Sequence, residues 1–512
     1  MNFSFCDYVS PTDIARFDFL MEPFSEIRGF EPIGSFKGKS ASQIGKSFLG
    51  IGFETLDRDT FNPEDVYDIL PGCGVKHARL QTGWLKCERE RGVYDFSKLD
   101  SQVENLLARK IQPWFNVSFG NPLYTPVAEY EKIIEEAKPN LAPARIRGYC
   151  GETPVYFGDD GMAGWCAYLE ALVKHFSGRV TEFEIWNEPF GLGDFWKQNG
   201  HMPYPGLDGI SRARRCAEDY VKLVRKSAEV VHRVNPEAKV IANTALDTMF
   251  TDEIVRAGIT DCIDILSYHL YPRHEKETYA KVQHVREILN RAGGRHIPIR
   301  QGESGFPSEH RESLSLPTEY NQAKYIAKRI LTDLRCGAEM SSIFTVTDFL
   351  HYYPNGESQH FGVIDAAKKK PKLGFFTIQS FAPFSEHWQS APDLLATFTQ
   401  RNGDSNIDTT EFDVTIVGLR CFGIPIFALW REGKTDISHP EVLGELTLFL
   451  FPEEHFQTPV VFDPIRQTLY RSTHAKATSW SCGAMGFNPF PMLDSPLLVT
   501  DLSLFQKLGI LA

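Results

Sequence analysis

Short apolar runs alternate with longer stretches of helical periodicity between about residue 47 and residue 385. Apolar runs of about four to eight residues are typical of buried strands, whereas apolar residues three and four positions apart are typical of a helix packed on a sheet. Strands and helices that alternate in this way indicate a parallel sheet with helical crossovers. The apolar runs predict eight strands, at residues 47–56, 77–84, 112–119, 180–188, 239–244, 263–268, 296–301 and 340–347.

The helical stretches between these runs support the same architecture. Amphipathic helices are predicted at residues 95–110 and 211–234. Another begins near Thr318, between the seventh and eighth strands, and stops at Gly337, a residue type that favours helix C-termini. Eight such units predict an α/β fold, a (β/α)8 TIM barrel. The alternative is an open doubly wound sheet, but no Gly-x-Gly-x-x-Gly follows a predicted strand.

The pattern changes after about residue 388, where helical periodicity fades and short β-rich runs replace it. Turn residues separate these runs, which predicts a C-terminal β-sandwich. The chain has 512 residues, well beyond the length of a barrel alone, which is about 250 residues. We therefore predict an N-terminal segment 1–45 that adds strands to the sandwich, a barrel at 46–388 and an accessory β-sandwich at 389–512. The predicted sandwich strands lie at residues 412–419, 424–429, 446–450, 459–462 and 497–500.

Composition and charge argue against several classes of partner. The chain carries 54 Lys and Arg against 66 Asp and Glu, a net charge of −12, whereas nucleic acid binding favours a basic face. The sequence contains no run of about 18 apolar residues, so no membrane helix is predicted. The N-terminus does not resemble a signal peptide. The ten Cys are scattered without zinc-binding spacing. We therefore predict a cytoplasmic protein with no nucleic acid, membrane, metal or cofactor, and leave the oligomeric state open.

Polar residues crowd the C-terminal ends of the predicted barrel strands, where TIM-barrel active sites form. Glu188 ends the fourth strand, in the sequence Phe-Glu-Ile-Trp-Asn-Glu-Pro, and Glu303 follows the seventh. Cleavage of a glycosidic bond needs two carboxylates that face each other, one to protonate the leaving oxygen and one to attack or stabilise the anomeric carbon. These two glutamates are therefore the leading candidates for catalysis.

The segment around Glu188 resembles the signature of glycoside hydrolase family 39 in clan A, which reads Trp-x-Phe-Glu-x-Trp-Asn-Glu-Pro-Asn/Asp. Six fixed positions match, while Thr181 replaces the first Trp and Phe190 replaces the final Asn or Asp. The predicted order of a barrel followed by a β-sandwich is also similar, so the resemblance covers most of the chain. The two departures flank the acid/base position and bear on substrate identity more than on the chemistry.

The resemblance implies a hydrolase that retains the anomeric configuration by double displacement. Glu188 matches the acid/base, Glu303 the nucleophile, and Asn187 the asparagine that bonds the sugar 2-hydroxyl. Retention implies carboxyl groups about 5–5.5 Å apart. The implied partner is an oligosaccharide or glycoside, with β-xylosides favoured and arabinosides, galactosides, glucosides or uronic acid glycosides as alternatives.

Neighbouring residues are candidates for supporting roles. An ionised nucleophile needs hydrogen-bond donors, and Arg79, His269 and either Tyr268 or Tyr271 could supply them. Arg79 lies inside a hydrophobic strand, where a charge is costly unless it is paired, so structural support and sugar contact are both open for it. The same two readings are open for His269.

Three further residues are candidates for contact with a sugar. Trp84 and Trp196 could stack on the apolar face of a pyranose, and Glu54 at the end of the first strand could bind hydroxyl groups. The leading hypothesis is an exo-acting retaining glycosidase on short oligosaccharides, which a pocket closed by the loops after the first, third and fourth strands would suit.

Two other classes remain open. A non-catalytic carbohydrate-binding protein on an inactive barrel is one, although both carboxylates are present. A metal-dependent barrel hydrolase that uses His77, His269 and acidic residues is the other, although no His-x-His pair ends the first strand.

Overall fold

A computed structural model gives the architecture for most of the chain. The described residues are 30–55, 60–126, 152–190, 196–198, 201–244, 247–271, 275–308, 319–352, 356–400, 413–432, 441–451, 454–472, 475–477 and 483–511. Residues 1–29, most of the predicted N-terminal segment, lie outside them, as does the start of the sandwich strand predicted at 412–419.

Eight parallel strands close into a barrel in which each strand pairs with the next along the chain and the last pairs with the first. Every one of the eight predicted strands is present, which confirms the TIM barrel. Seven of the eight observed strands are shorter than the predicted runs, whereas β8 has the same length as its run and lies three residues further along the chain. The barrel strands are β2 (Leu49–Gly52), β3 (His77–Gln81), β4 (Gln112–Val117), β5 (Glu182–Ile185), β6 (Lys239–Asn243), β7 (Ile265–His269), β8 (Ile299–Ser304) and β9 (Ser341–Ile343).

Helices surround the barrel and bury their apolar faces against it. The described helices are α1 (Trp84–Cys87), α2 (Ser97–Ala108), α3 (Gly158–His175), α4 (Gly209–Val234), α5 (Thr248–Arg256), α6 (Glu275–Arg291), α7 (Glu319–Arg335), α8 (Leu373–Ser385) and α9 (Leu502–Leu508). Among these helices, none is both long and apolar enough to cross a lipid bilayer.

Helix α4 shows how sequence pattern leads to the placement of site residues. Asp208 caps the helix by accepting a hydrogen bond from the backbone nitrogen of Ser211, as N-cap residues do. The buried Tyr220 on its apolar face accepts a bond from the backbone nitrogen of Asn243 and donates one to the carbonyl of Ile185, each 2.8 Å long. The helix therefore ties the ends of β5 and β6 together below the barrel mouth.

A β-rich domain follows the barrel and contains two antiparallel sheets. The seven-stranded sheet has the order β1-β18-β17-β21-β15-β14-β12, and the four-stranded sheet has the order β13-β16-β20-β19. Their bounds are β1 (Phe30–Ser35), β12 (Trp388–Ser390), β13 (Leu395–Gln400), β14 (Val414–Cys421), β15 (Ile424–Arg431), β16 (Glu441–Phe449), β17 (Pro459–Asp463), β18 (Thr468–Ser472), β19 (Ala475–Ala477), β20 (Ala484–Leu493) and β21 (Leu497–Asp501). The short hairpin of β10 (Ile364–Asp365) and β11 (Lys370–Pro371) lies between barrel and domain in the chain.

The two parts contact each other through buried groups. Lys324 of α7 forms a 2.6 Å ion pair with Asp494, and both side chains are almost fully buried. Strand β1 pairs antiparallel with β18, so residues that precede the barrel extend a sheet that follows it. The boundaries at residues 45 and 388 and the sandwich arrangement stay predictions.

Candidate active site

Arg79 in the middle of β3 organises the floor of the barrel mouth. Its side chain is fully buried and donates to Glu54 at 2.7 Å, to Glu303 at 2.9 Å and to Asn187 at 2.8 Å. It also donates twice to Glu184, at 2.9 and 2.6 Å. Burial alone would lower the pKa of the guanidinium, but the three carboxylates raise this pKa well above its usual range. A guanidinium has five N–H groups, and all five are used here. The structure therefore assigns Arg79 the supporting role rather than sugar contact.

Glu303 lies near the end of β8 with donors on both carboxylate oxygens. Arg79 donates to Oε2 at 2.9 Å, and the hydroxyl of Tyr271 donates to Oε1 at 2.6 Å. Nδ1 of His269 lies 3.6 Å from Oε2. The side chain is 13% exposed, so it remains open to the mouth. Donors on a carboxylate favour its ionised form, and this environment therefore suits an anionic nucleophile.

The backbone at β8 is irregular where it presents Glu303. The pairing register shifts on both sides of the strand, and such shifts re-aim side chains. Gly302 has no room for a side chain, because an added Cβ would lie 2.2 Å from Oγ of Ser267 and 3.2 Å from Nε2 of His269. The glycine lets β8 approach β7 closely, which brings Glu303 next to His269.

Glu188 follows β5 in a backbone conformation that L-residues rarely adopt. Its φ angle is 43° and that of Trp186 is 65°. Strained backbone of this kind clusters at functional sites, where the surrounding structure holds it in place. The side chain is 18% exposed, and its Oε1 accepts a 3.0 Å bond from Nδ1 of His269. One ligand atom each from Glu188, His269 and Glu303 lies within 4.8 Å of the other two. One oxygen of Glu188 thus lies within 4.8 Å of one oxygen of Glu303.

His269 at the end of β7 lies between the two catalytic candidates. Burial alone would lower the pKa of its ring, but Glu303, Glu184 and Glu188 raise this pKa to about 9. Nδ2 of Asn243 lies 2.7 Å from Nε2 of the ring. Since an amide nitrogen donates and does not accept, this contact favours a neutral ring with its proton on Nδ1. The charged ring would need the carbonyl oxygen of Asn243 at that position. In both states the proton on Nδ1 faces Glu188.

Glu184 is a fully buried carboxylate that the sequence analysis did not single out. Besides Arg79, it accepts bonds from Nδ2 of Asn116 at 2.8 Å and Nδ2 of Asn243 at 2.9 Å. Burial alone would raise its pKa, but Arg79 and His269 lower it well below its usual range. A signal was present: a charge in a strand body needs a buried partner, and Arg79 and Glu184 lie in adjacent layers of the same barrel.

The structure corrects the expectation for Trp84. The ring is fully buried and stacks between Tyr124 and Tyr168, with centroid distances of 5.3 and 5.6 Å. Its Nε1 donates to Glu88 at 2.6 Å. Both faces of the ring are thus used inside the core, and Trp84 offers none to a sugar.

The expectation for Trp196 is corrected in the same way. Its ring is 2% exposed and packs edge-on against Trp186 and Tyr220. Its Nε1 donates to the hydroxyl of Tyr156 at 3.1 Å. Both tryptophans therefore pack in the core. Hydrophobic periodicity alone could not distinguish such core residues from residues at the rim of the barrel mouth.

The remaining candidates divide between mouth and floor. Tyr271 is 41% exposed and reaches the mouth. Asn187 is almost fully buried and directs its Oδ1 to Arg79, which orients the amide. Glu54 is 4% exposed and pairs with Arg79, so it supports the arginine rather than a sugar, contrary to expectation.

An aromatic rim beside Tyr271 was also missed. The rings of Tyr271, Phe344 and Phe361 lie close together, with centroid distances of 5.7 to 6.4 Å. Phe344 directly follows β9, so this rim stands at the end of the eighth barrel strand. An apolar wall at this position suits the C–H face of a sugar.

The structure separates the two histidines that the metal-dependent alternative combined, because His77 begins β3 and His269 ends β7. Among the described residues, the group with suitable ligand spacing is Glu188, His269 and Glu303. His77, which that alternative required, begins β3 at the opposite end of the barrel and bonds the carbonyl of Ser47 at 3.1 Å. Burial lowers the pKa of His77 to about 4.

The fold and this arrangement define the class: a TIM-barrel protein with a β-rich domain and a carboxylate pair at the mouth. Among solved structures, the chain is similar to a GH30 endoxylanase from Clostridium papyrosolvens C71, with a TM-score of 0.51 and 13% identity over 92% of this chain and 99% of that one. It is similar to a GH39 β-xylosidase from Caulobacter crescentus, with a TM-score of 0.50 and 15% identity over 92% and 97%. A third is Xyn30A, a family 30 subfamily 8 xylanase from Clostridium acetobutylicum, with a TM-score of 0.51 and 12% identity over 91% and 97%.

At these identities the similarity concerns the fold, and it extends over both the barrel and the β-rich domain. The structural neighbours are clan A glycoside hydrolases of families 30 and 39, as the sequence resemblance implied. No protein-family model matches the chain, and no curated protein matches it.

Proposed function

We propose that this chain is a retaining, exo-acting glycoside hydrolase that cleaves short oligosaccharides or glycosides by double displacement. The observation that carries the proposal is the arrangement of Glu188, His269 and Glu303, whose ligand atoms lie within 4.8 Å of one another at the barrel mouth. Glu303 has donors on both oxygens, and Glu188 has the Nδ1–H of His269. Glu303 thus has more hydrogen-bond donors than Glu188, which makes it the better stabilised of the two as the anion that a nucleophile must be.

In the first step, Oε of Glu303 attacks the anomeric carbon while Glu188 gives its proton to the leaving oxygen. The bond from the anomeric carbon to that oxygen breaks, and an ester to Glu303 forms. The proton is the one carried by the carboxyl group of Glu188, whose Oε1 also accepts the hydrogen bond from Nδ1 of His269. The hydrogen bonds from Tyr271 and Arg79 to Glu303 weaken as the ester forms, because the ester carries no negative charge.

In the second step, Glu188 takes a proton from water and the resulting oxygen attacks the anomeric carbon from the opposite face. The ester bond breaks and Glu303 leaves as a carboxylate. The loss of charge on Glu303 in the ester makes Glu188 a stronger acid, so it is ionised when it must act as a base. Two inversions give net retention.

We favour a β-xyloside as substrate. The GH39 structure with this fold is named a β-xylosidase and the two GH30 structures are named xylanases. The residues of the site also favour a neutral sugar, because Glu54, Glu184, Glu188 and Glu303 surround Arg79 and His269 and all donors of Arg79 are used. Arabinosides, galactosides and glucosides are the neutral alternatives, and the same charge pattern disfavours uronic acid glycosides.

A panel of 4-nitrophenyl glycosides tests this proposal. The panel contains the β-D-xyloside, the α-L-arabinoside, the β-D-galactoside, the β-D-glucoside and the β-D-glucuronide, each with wild type and Glu303→Ala. We expect release of nitrophenol from the xyloside by wild type and a loss of at least about 1,000-fold in the variant. Wild-type protein that binds xylose oligomers but hydrolyses none of them would instead favour the non-catalytic carbohydrate-binding alternative.

A further inference from the structure

We propose that Glu184 is a positioning residue: its buried carboxylate holds the groups that orient Glu303 and the groups that orient Glu188 in one connected network. The proposal rests on the proposed function, since it concerns that same reaction. Glu184 lies within strand β5, below the barrel mouth, and its side chain is fully buried. It is therefore too deep to touch a substrate and acts through its neighbours.

One oxygen of Glu184 fixes the nucleophile side. Oε2 accepts from Nε of Arg79 at 2.9 Å, from Nη2 at 2.6 Å and from Nδ2 of Asn116 at 2.8 Å. These bonds set the plane of the guanidinium, and the remaining hydrogens then point at fixed places. One of these hydrogens meets Glu303 and another meets Asn187. The orientation of Glu303 thus depends on Glu184 through Arg79.

The other oxygen fixes the acid/base side. Oε1 accepts from Nδ2 of Asn243 at 2.9 Å and lies 3.7 Å from Nε2 of His269. His269 in turn donates from Nδ1 to Glu188 at 3.0 Å. The orientation of the ring, and with it the proton presented to Glu188, thus depends on Glu184 through a second path.

The charge of Glu184 matters as well as its shape. The charged groups that face His269 are Glu184 and Glu188 from β5 and its end, Glu303 from β8 and Arg79 from β3. The three carboxylates favour the protonated ring and Arg79 opposes it. Removal of the charge on Glu184 shifts this balance toward the neutral ring.

Glu184→Gln tests the network with little change in volume. Arg79, Asn116 and Asn243 all donate to this position, so an amide places one of its own N–H groups against a donor. Glu182→Gln is the matched control: Glu182 lies two residues earlier in β5 and forms a 2.7 Å ion pair with the buried Arg300. The Glu182→Gln variant loses an ion pair with a buried arginine of the same barrel, at the end remote from the mouth.

The first readout needs no substrate. In protein labelled with 15N-histidine, the resonance of His269, assigned with His269→Asn, is titrated in wild type and in both variants. We expect the pKa of His269 to fall by about one unit or more in Glu184→Gln and to stay within about 0.3 units of wild type in Glu182→Gln, which keeps the local charges. An unchanged titration in Glu184→Gln overturns the proposal.

The second readout is the kinetics on the best glycoside of the panel. We expect kcat of Glu184→Gln to fall on the order of 100-fold, with KM within about threefold of wild type because the residue lies too deep to bind substrate. The alkaline limb of its pH–rate profile should move to lower pH. Glu184→Asp, which restores the charge, should recover part of kcat and return the alkaline limb toward wild type. Equal losses in Glu184→Gln and Glu182→Gln would mean a merely structural role and overturn the proposal.

The two proposals fail in different ways. Wild type that hydrolyses no glycoside overturns the proposed function, while the titration of His269 still decides whether Glu184 sets the state of the network. If Glu184→Gln does not fold, Glu184→Asp carries the comparison with Glu182→Gln: a loss of kcat of more than about tenfold in Glu184→Asp alone supports the positioning role, and equal kcat values contradict it.

Discussion

The hydroxyl of Tyr271 donates a 2.6 Å hydrogen bond to Oε1 of Glu303. The ring is 41% exposed, so this bond can be removed without a cavity in the core. A hydrogen bond to a charged group is worth about 1.5–3 kcal/mol. We therefore expect Tyr271→Phe to lower kcat/KM on an aryl glycoside by about 10- to 100-fold while the free energy of unfolding changes little. Tyr94→Phe, on a half-buried tyrosine that is not part of the site, is the control, and equal activity of the two variants would refute a role for the bond.

The charge of His269 predicts a dependence of stability on pH. The ring has a folded-state pKa of about 9 against an ordinary value of 6.5, so the folded state holds the proton more tightly than the unfolded state. The resulting stabilisation is complete below about pH 6.5 and is lost as pH rises through about 9. At most it amounts to about 3.5 kcal/mol, since the pKa rises from 6.5 to about 9 and one pKa unit corresponds to about 1.4 kcal/mol.

Urea unfolding of wild type and His269→Gln at pH 6 and pH 9.5 measures this stabilisation. The stability difference between the two proteins should be larger at pH 6 and shrink at pH 9.5, because the substituted glutamine does not titrate. A difference that is constant across this range would contradict a raised pKa of the His269 ring in the folded state.

Gly302 should tolerate no side chain. A Cβ there would meet Oγ of Ser267 at 2.2 Å, and both strands are fixed by the closed barrel. Overpacking of this kind costs about 1–3 kcal/mol, and the displaced β8 would also move Glu303. We expect Gly302→Ala to lower both the melting temperature and kcat. Gly206→Ala, at a position with nothing within 4 Å of the added atom, should leave both unchanged, and a Gly302→Ala protein as active as wild type would contradict this account.

Arg79 should be among the most sensitive positions for folding. Arg79→Met leaves Glu54 and Glu184 buried without their cation, and the loss of one partner of a buried ion pair costs about 3–5 kcal/mol. Arg91→Met is the control, because Arg91 and Asp160 form an ion pair on the surface, with side chains 51% and 62% exposed. Such exposed pairs contribute about 0–1 kcal/mol. Denaturant unfolding should separate the two variants clearly, and similar losses would show that the buried network contributes little.

The sequence was sufficient for the fold because the barrel depends on a repeated local pattern. Eight apolar runs separated by longer segments predicted eight strands, and β2 to β9 lie within or beside those runs. The helix predicted from Thr318 to Gly337 is observed as Glu319–Arg335. In the β-rich domain, the sequence analysis missed β12, β13, β18, β19 and β20, which are either short or interrupted by glycine, proline or polar residues.

The site could be predicted in outline, because strand ends of a barrel meet at one face. Glu188, Glu303 and His269 were placed together on this basis, and the structure brings them together. The sequence could not show how deeply each of these side chains is buried. Trp84, which follows β3, turns into the core. Glu184, three residues before Asn187, forms the centre of a buried hydrogen-bond network. The direction of a side chain in the closed barrel decides whether a polar residue lies on the floor or at the rim of the mouth. No local sequence pattern encodes this direction.

The central claim is that Glu303 forms a covalent ester with the sugar. The most direct test is incubation of the protein with the 2-deoxy-2-fluoro glycosyl fluoride of the sugar that wild type hydrolyses best, followed by proteolysis and mass spectrometry. The account predicts inactivation, with one fluorosugar attached to the peptide that contains Glu303, and no attachment in Glu303→Gln. Attachment to another residue, or hydrolysis with inversion and no trapped ester, would contradict it.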